Sequence, residues 1–157
     1  MTERLDEQLV QDEGEVLHLY YDERGVPTIG IGCNLRVGRI PDALAAQITI
    51  TREASRALLA LRVEEARRDL AMMLPWTTQL DAVRHAALVA LVFNLGIGGL
   101  VGKNPRAVAA CERGDFAEAA SELLDGPWKY QVGHHDGERT PCRAHRLAQQ
   151  LERGSWA

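Results

Sequence analysis

The chain has 157 residues, 46% of them hydrophobic and 25% charged, and a net charge of −4. That length fits one domain, or two small lobes sharing one, and lets the fold bury ~70% of its unfolded surface. No basic helix is interleaved with aromatics, which excludes a nucleic-acid binder. Three widely spaced cysteines, Cys33, Cys111 and Cys142, read as reduced thiols rather than a disulfide framework.

Leu5, Leu9 and Glu13 recur at i, i+4 and i+8, so they share one stripe of a first helix. Glu13 closes the face that must be buried, whereas Glu15, about 200° further round, faces elsewhere. An apolar stripe disfavours charge, as do Asp12 and Glu15 alongside, so Glu13 is expected to hold its proton as a general acid must. Beyond Gly14 the period changes to two. Leu17, Leu19 and Tyr21 point one way, and His18, Tyr20 and Asp22 the other. The turn Glu23-Arg24-Gly25-Val26-Pro27 follows, then a return strand with Ile29 and Ile31 on one face. Thr28, Gly30 and Gly32 take the opposite face and leave backbone bare for a ligand to approach. Asp22 and Thr28 flank the turn, within reach of one water above that floor.

Leu35 to Ile50 reads as an irregular lobe edge containing Pro41. Thr51 is placed to cap a long helix that stops before Pro75. Ala54, Leu58, Leu61, Ala66, Leu70 and Met73 give it a loose apolar stripe, and its charged middle suits a helix that bridges two lobes. Asp81 caps the next helix and Gly96 ends it. Nearly apolar all round from Val83 to Leu95, it reads as a central core helix too short to span a membrane. Phe93 and Asn94 lie at its end.

The glycine-rich run from Gly96 to Asn104 fails the phosphate-loop pattern at Ile97 and Asn104, and "GIGCNL" fails the dinucleotide pattern at Leu35. Both read as turns. Shorter helices are expected near 105–113, 115–125 and 141–152, with Trp76, Trp128 and Trp156 as anchors. His134, His135 and Asp136 with Cys142 and His145 are the best metal candidates, but their spacing matches no zinc class. No metal and no cofactor are expected.

Two carboxylates in unlike surroundings, Glu13 and Asp22, suit cleavage of a glycosidic bond: one gives a proton, the other serves water or attacks the sugar. The run "DEGEVLHLYYDERGVPTIGIGCNL" resembles the phage-type lysozymes, glycoside hydrolase family 24. So do "LDAVRHAALVALVFNLG", "GDFAEAASELL" with Trp128, and "RTPCRAHR" with the closing "RGSW". The stretches are collinear, and the intervals 22 − 13 = 9 and 28 − 22 = 6 match the family's Glu, Asp and Thr.

The resemblance implies an α+β, lysozyme-like fold: a hairpin lobe at about 14–50, a connecting helix at 51–74, and a helical lobe at 75–157. The helix at 1–13 would pack on that larger lobe, with a cleft between lobes. It implies hydrolysis of the peptidoglycan glycan strand between N-acetylmuramic acid and N-acetylglucosamine. Glu13 would be the acid, Asp22 would activate or stabilise, and Thr28 would position water. Asn34, Phe93 and Asn94 would touch sugar. Arg143 would pair with Glu13 and Arg146 with Asp12, in keeping with eight acidic residues in Met1–Glu23 and four arginines in 139–153. Many members of the family are basic; this chain is acidic. The family's His after the second glycine is Cys33 here, and its acidic partner on the long helix is Arg62, so no ion pair is expected there.

Met1 to Gly14 is acidic and holds no apolar run. The resemblance then implies a phage or prophage endolysin made in the bacterial cytoplasm without a signal peptide and released by a holin-type route. It would act as a monomer without entering a membrane. A lytic transglycosylase and a non-catalytic wall-binding module are the alternatives.

Overall fold

The structure, a computed structural model, describes residues 2–22, 24–35, 37–126, 128–131 and 142–156. Helix α1 (Thr2–Glu13) precedes strands β1 (Val16–Tyr21), β2 (Pro27–Gly30) and β3 (Cys33–Asn34), a short helix α2 (Asp42–Ala45) and the long helix α3 (Arg52–Met73). A 3₁₀ turn (Pro75–Gln79) leads to α4 (Ala82–Leu95), α5 (Ile97–Lys103), α6 (Pro105–Glu112), α7 (Phe116–Asp125), α8 (Trp128–Gln131) and α9 (Arg143–Arg153). This is the α+β class expected, mostly helical with one small antiparallel sheet. The chain forms two compact units, Met1–Arg62 and Val63–Ala157, whose boundary falls inside α3.

In the first unit Leu5 and Leu9 are buried on α1, as their spacing requires. The sheet has three strands in the order β1-β2-β3, all antiparallel. The expected hairpin therefore gains a third strand, formed because Ile31 and Gly32 turn the chain back so that Cys33 pairs with Ile29 and Asn34 with Thr28. Strand β1 is irregular: Val16 pairs with Gly30 and Tyr20 with Thr28, setting three intervening residues against one. Its middle turns to another partner, where Leu19 N–H donates to Ile48 O (3.0 Å) and Ile50 N–H to Leu17 O (2.9 Å). Leu19, Ile29 and Ala45 form a small core, joined by Tyr21, Cys33 and Leu58. Cys33 is thus a small apolar filler on the core side of the sheet.

Thr51 Oγ1 accepts from Ala54 N–H at 3.2 Å and starts α3, which stops two residues before Pro75. Its buried stripe is Ser55, Leu59, Val63, Ala66 and Leu70. The expected stripe is corrected by about one residue at its start: Leu61 and Met73 are 61% and 56% exposed.

In the second unit the Asp81 carboxylate accepts from Val83 and Arg84 N–H, both at 3.0 Å, and starts α4, which ends at Gly96. Every residue from Ala86 to Phe93 is buried, so α4 is the core helix its composition predicts. The run after Gly96 is helix α5, not a turn. Helix α9 buries Ala144, Leu147, Ala148 and Leu151 and packs on α7 and α4. Trp128 is fully buried and its indole N–H donates to Leu123 O; Trp76 and Trp156 are half-buried. No single helix among the described residues is long and apolar enough to cross a membrane.

Cys111, buried on α6, has its thiol pushed up to about 11 by burial, against a smaller opposing pull from Arg84. A thiol in the unfolded chain ionises near 9. Between those values the unfolded chain holds fewer protons than the folded one, so stability falls as pH rises. The loss reaches about 2–3 kcal/mol when the window is fully crossed. Cys111→Ala should flatten this alkaline decline, measured as urea midpoints at several pH values from 8 to 11. Parallel declines in both proteins would contradict it.

Candidate active site

Glu13 is the last residue of α1, half-buried at the end of the Leu5–Leu9 stripe. Its carboxyl lies over the Ile31–Gly32 turn, where a β-carbon on Gly32 would stand 3.0 Å from Oε2. Gly32 has φ +59°, so both close approach and backbone favour glycine. A β-carbon on Gly30 would meet Ser55 Oγ at 3.0 Å. The bare backbone expected to admit a ligand instead admits the protein's own Glu13 and α3. Glu15 lies beyond the end of α1, so the helical rotation expected of it does not apply; it pairs with Arg52 and Arg56, each at 3.3 Å.

Asp22 follows β1 and ties the turn. Its Oδ1 accepts from Arg24 N–H (2.9 Å) and Val26 N–H (2.8 Å). These bonds fix the plane of the carboxylate at the mouth of the hairpin. Thr28 is buried on the central strand, 4% exposed, and its hydroxyl donates to Val26 O at 3.0 Å. With the hydroxyl proton committed there, the oxygen's lone pairs remain to accept from a water. Thr28 pairs across the sheet with Tyr20 on one side and Asn34 on the other. Tyr20, Thr28 and Asn34 therefore make a polar row on one face.

Arg62 reaches the same turn from α3. Its Nη1 donates to Gly32 O at 2.6 Å and lies 3.4 Å from Ile31 O. The Arg62 guanidinium thus fastens the turn through its backbone carbonyls. The phenol of Tyr20 is raised by burial first, then by the charges of Glu13 and Asp22, with Arg62 opposing. Four ionisable side chains thus share one neighbourhood. Tyr20 and Arg62 have no motif of their own, and sequence reasoning gave neither a role here. The period-two alternation, which puts Tyr20 on the side of Asp22, was the only available signal for the tyrosine.

The other expected residues lie in the second unit. Phe93 is 8% exposed at the end of α4. Asn94 Nδ2 donates to Ala90 O at 2.9 Å, and its Oδ1 accepts from Arg143 Nη1 at 2.8 Å. His134, His135 and Asp136 fall outside the described residues. Cys142 Sγ and His145 Nδ1 are 3.2 Å apart at the start of α9. Among the described residues no three His, Cys, Asp or Glu side chains are grouped to hold a metal.

A carboxyl at a helix end, set over the sheet that carries a second carboxylate and a threonine hydroxyl, is the equipment of a glycoside hydrolase. The phage lysozyme family model matches residues 10–147, and the chain belongs to that family. The chain is similar to "Probable T4-type lysozyme 1" of Dictyostelium discoideum, 27% identical with 99% of this chain and 97% of that protein covered. It is 33% identical to the endolysin of Salmonella phage P22 over 60% of this chain and 62% of that one. The match to the pre-baseplate central spike protein Gp5 of Enterobacteria phage T4 is 29% identical, over 80% of this chain and 25% of the spike protein. The chain is an enzyme, a glycoside hydrolase of the lysozyme type, and peptidoglycan is its substrate class.

Proposed function

We propose that the enzyme cleaves the β-1,4 bond between N-acetylmuramic acid and N-acetylglucosamine by general acid catalysis with an activated water. Glu13 gives its proton to the leaving sugar oxygen, and that carbon–oxygen bond breaks. Water attacks the sugar carbon held in line with it. Its proton passes to Asp22, and Thr28 accepts a hydrogen bond that orients it. The observation that carries this reading is the seating of the Glu13 carboxyl on the Ile31–Gly32 turn of the sheet that bears Thr28 and Asp22. Asn34, Phe93 and Asn94 as sugar contacts, and Arg143 as partner of the acid, are carried over on the family resemblance.

Mass spectrometry of the muropeptides released from purified Gram-negative sacculi tests the reaction. Hydrolysis leaves free reducing N-acetylmuramic acid ends. Anhydro-muramic ends would identify a lytic transglycosylase and remove the water from the scheme. Binding to sacculi without cleavage would identify a wall-binding module.

Similarity to the phage P22 endolysin supports a role in host lysis; synthesis in a bacterial cytoplasm and release to the wall by a holin-type route are carried over on the family resemblance alone. The enzyme works as a monomer in this scheme.

A further inference from the structure

One face of α3 meets the sheet. Ser55, Leu58 and Arg62 recur at i, i+3 and i+7, so they stand above one another along the helix. Ser55 is fully buried, and a β-carbon on Gly30 would stand 3.0 Å from its Oγ. Leu58 packs against the core of Leu19, Ile29 and Ala45. Arg62 comes one turn later and is half-buried. The helix is thus fixed against the sheet up to the point from which the arginine reaches the turn. Its bond to Gly32 O, at 2.6 Å, is charge-assisted. The same glycine carries the acid. Glu13 Oε2, Cδ and Cγ lie 3.0, 3.5 and 3.6 Å from where a β-carbon on Gly32 would stand. Gly32 is therefore gripped by its carbonyl while the carboxyl packs over its bare α-carbon. A glycine is the residue most free to move when it is not gripped, and here it would carry the carboxyl with it.

We propose that Arg62 is a positioning residue for the acid: by holding Gly32 O it fixes the surface on which the Glu13 carboxyl rests, and so aims its proton at the leaving sugar oxygen. The inference rests on the assignment of Glu13 as that acid. Arg62 makes and breaks no covalent bond. The proton still passes from Glu13 to the sugar oxygen, and the guanidinium keeps all of its own. Without the grip, water satisfies the two carbonyls but fixes no direction. The carboxyl then spends part of its time out of line, and a small misplacement of a reacting group is costly. Substrate binding does not depend on that alignment, so the loss falls on kcat rather than KM.

With soluble peptidoglycan glycan fragments of uniform length, Arg62→Met should lower kcat about 10- to 100-fold with KM unchanged. Arg62→Gln should do the same. Its polar side chain suits a half-buried site, so the test stands if the methionine variant does not fold. Arg62→Lys keeps a cation that can donate to Gly32 O and should recover most of the loss, because one nitrogen makes the grip. Each kcat is measured well below the variant's own melting temperature. A folded Arg62→Met or Arg62→Gln protein with wild-type kcat overturns the proposal, as does an Arg62→Lys protein as slow as they are. If Glu13→Gln is inactive in the same experiment, the acid assignment stands whatever Arg62 does. If Glu13→Gln is fully active, the assignment falls and the proposal with it. A second measurement needs no activity. In protein labelled with carbon-13 at the glutamate side-chain carboxyls, the Glu13 resonance is the one lost in Glu13→Gln. Arg62→Met should shift or broaden it, and Arg62→Lys should leave it near its wild-type position. A resonance that Arg62→Met leaves unmoved overturns the proposal, even if that variant is inactive, because a role in stability alone would not reach the acid.

Discussion

Glu13→Gln should lower turnover about 10²- to 10⁴-fold, the usual contribution of a positioned acid, and leave the fold intact. Glutamine has nearly the shape of glutamate, so it can rest on the Ile31–Gly32 turn where a β-carbon would already stand 3.0 Å from the acid's oxygen. It offers an N–H to a hydrogen bond but has no proton to give at neutral pH. Leu5 and Leu9, which bury the rest of the α1 stripe, are untouched. The measurement is turbidity loss of permeabilised Gram-negative cells, with thermal unfolding of both proteins as the control for folding. Equal lysis by the two would remove Glu13 from the mechanism. An inactive variant with an unchanged melting temperature would show that chemistry, not packing, had been lost.

Arg84→Met should cost about 2–4 kcal/mol of stability, the scale of losing charge-assisted hydrogen bonds from a partly buried site. Arg84 stands in the first turn of α4, yet its side chain closes the far end of α9. Its Nε donates to Leu151 O and its Nη2 to Glu152 O, both at 2.7 Å, and its Nη1 meets Asp81 Oδ2 at 2.7 Å. Its guanidinium lies 3.9 Å from the centre of the Phe116 ring. The last carbonyls of a helix lack partners within it and carry the negative end of its dipole, so a cation there satisfies both needs. Methionine preserves much of the apolar stem and supplies none of the donors. The melting temperature should fall by roughly 5–15 °C. Lysine should recover only part of the loss, because an ammonium lacks the fork that serves two carbonyls and a carboxylate. A methionine variant that melts within a degree of wild type would show the clamp to be dispensable.

Neither Arg84 nor Arg62 was legible as a clamp. Both bind backbone carbonyls distant in the chain, and every residue type carries a carbonyl, so composition and spacing hold no trace of the partner. What is local was readable. Asp81 and Gly96 bracket α4, Thr51 and Pro75 bracket α3, and the spacing sets Glu13 at the end of a first helix with Asp22 and Thr28 on the hairpin that follows. Their contacts with one another required coordinates. The buried side of α3 was harder, because a helix with charges throughout its middle has a shallow apolar stripe. An error of one or two residues there exchanges Leu58 for Leu59 and Leu61 for Val63. Strand β3 has two residues, too few to show a period. Helix α5 begins Ile-Gly-Gly, a composition that locally favours turns and is overridden by packing on α4 and α6.

The grip of Arg62 on Gly32 O has a bearing on where such an enzyme can work. A bond between two charged side chains slackens when counter-ions crowd in or when acidity neutralises one partner. A peptide oxygen has no net charge to screen and takes up no proton in water near neutrality. The floor under the acid is therefore fastened by a link that brine and souring of the medium loosen less than they would a pair of opposite charges.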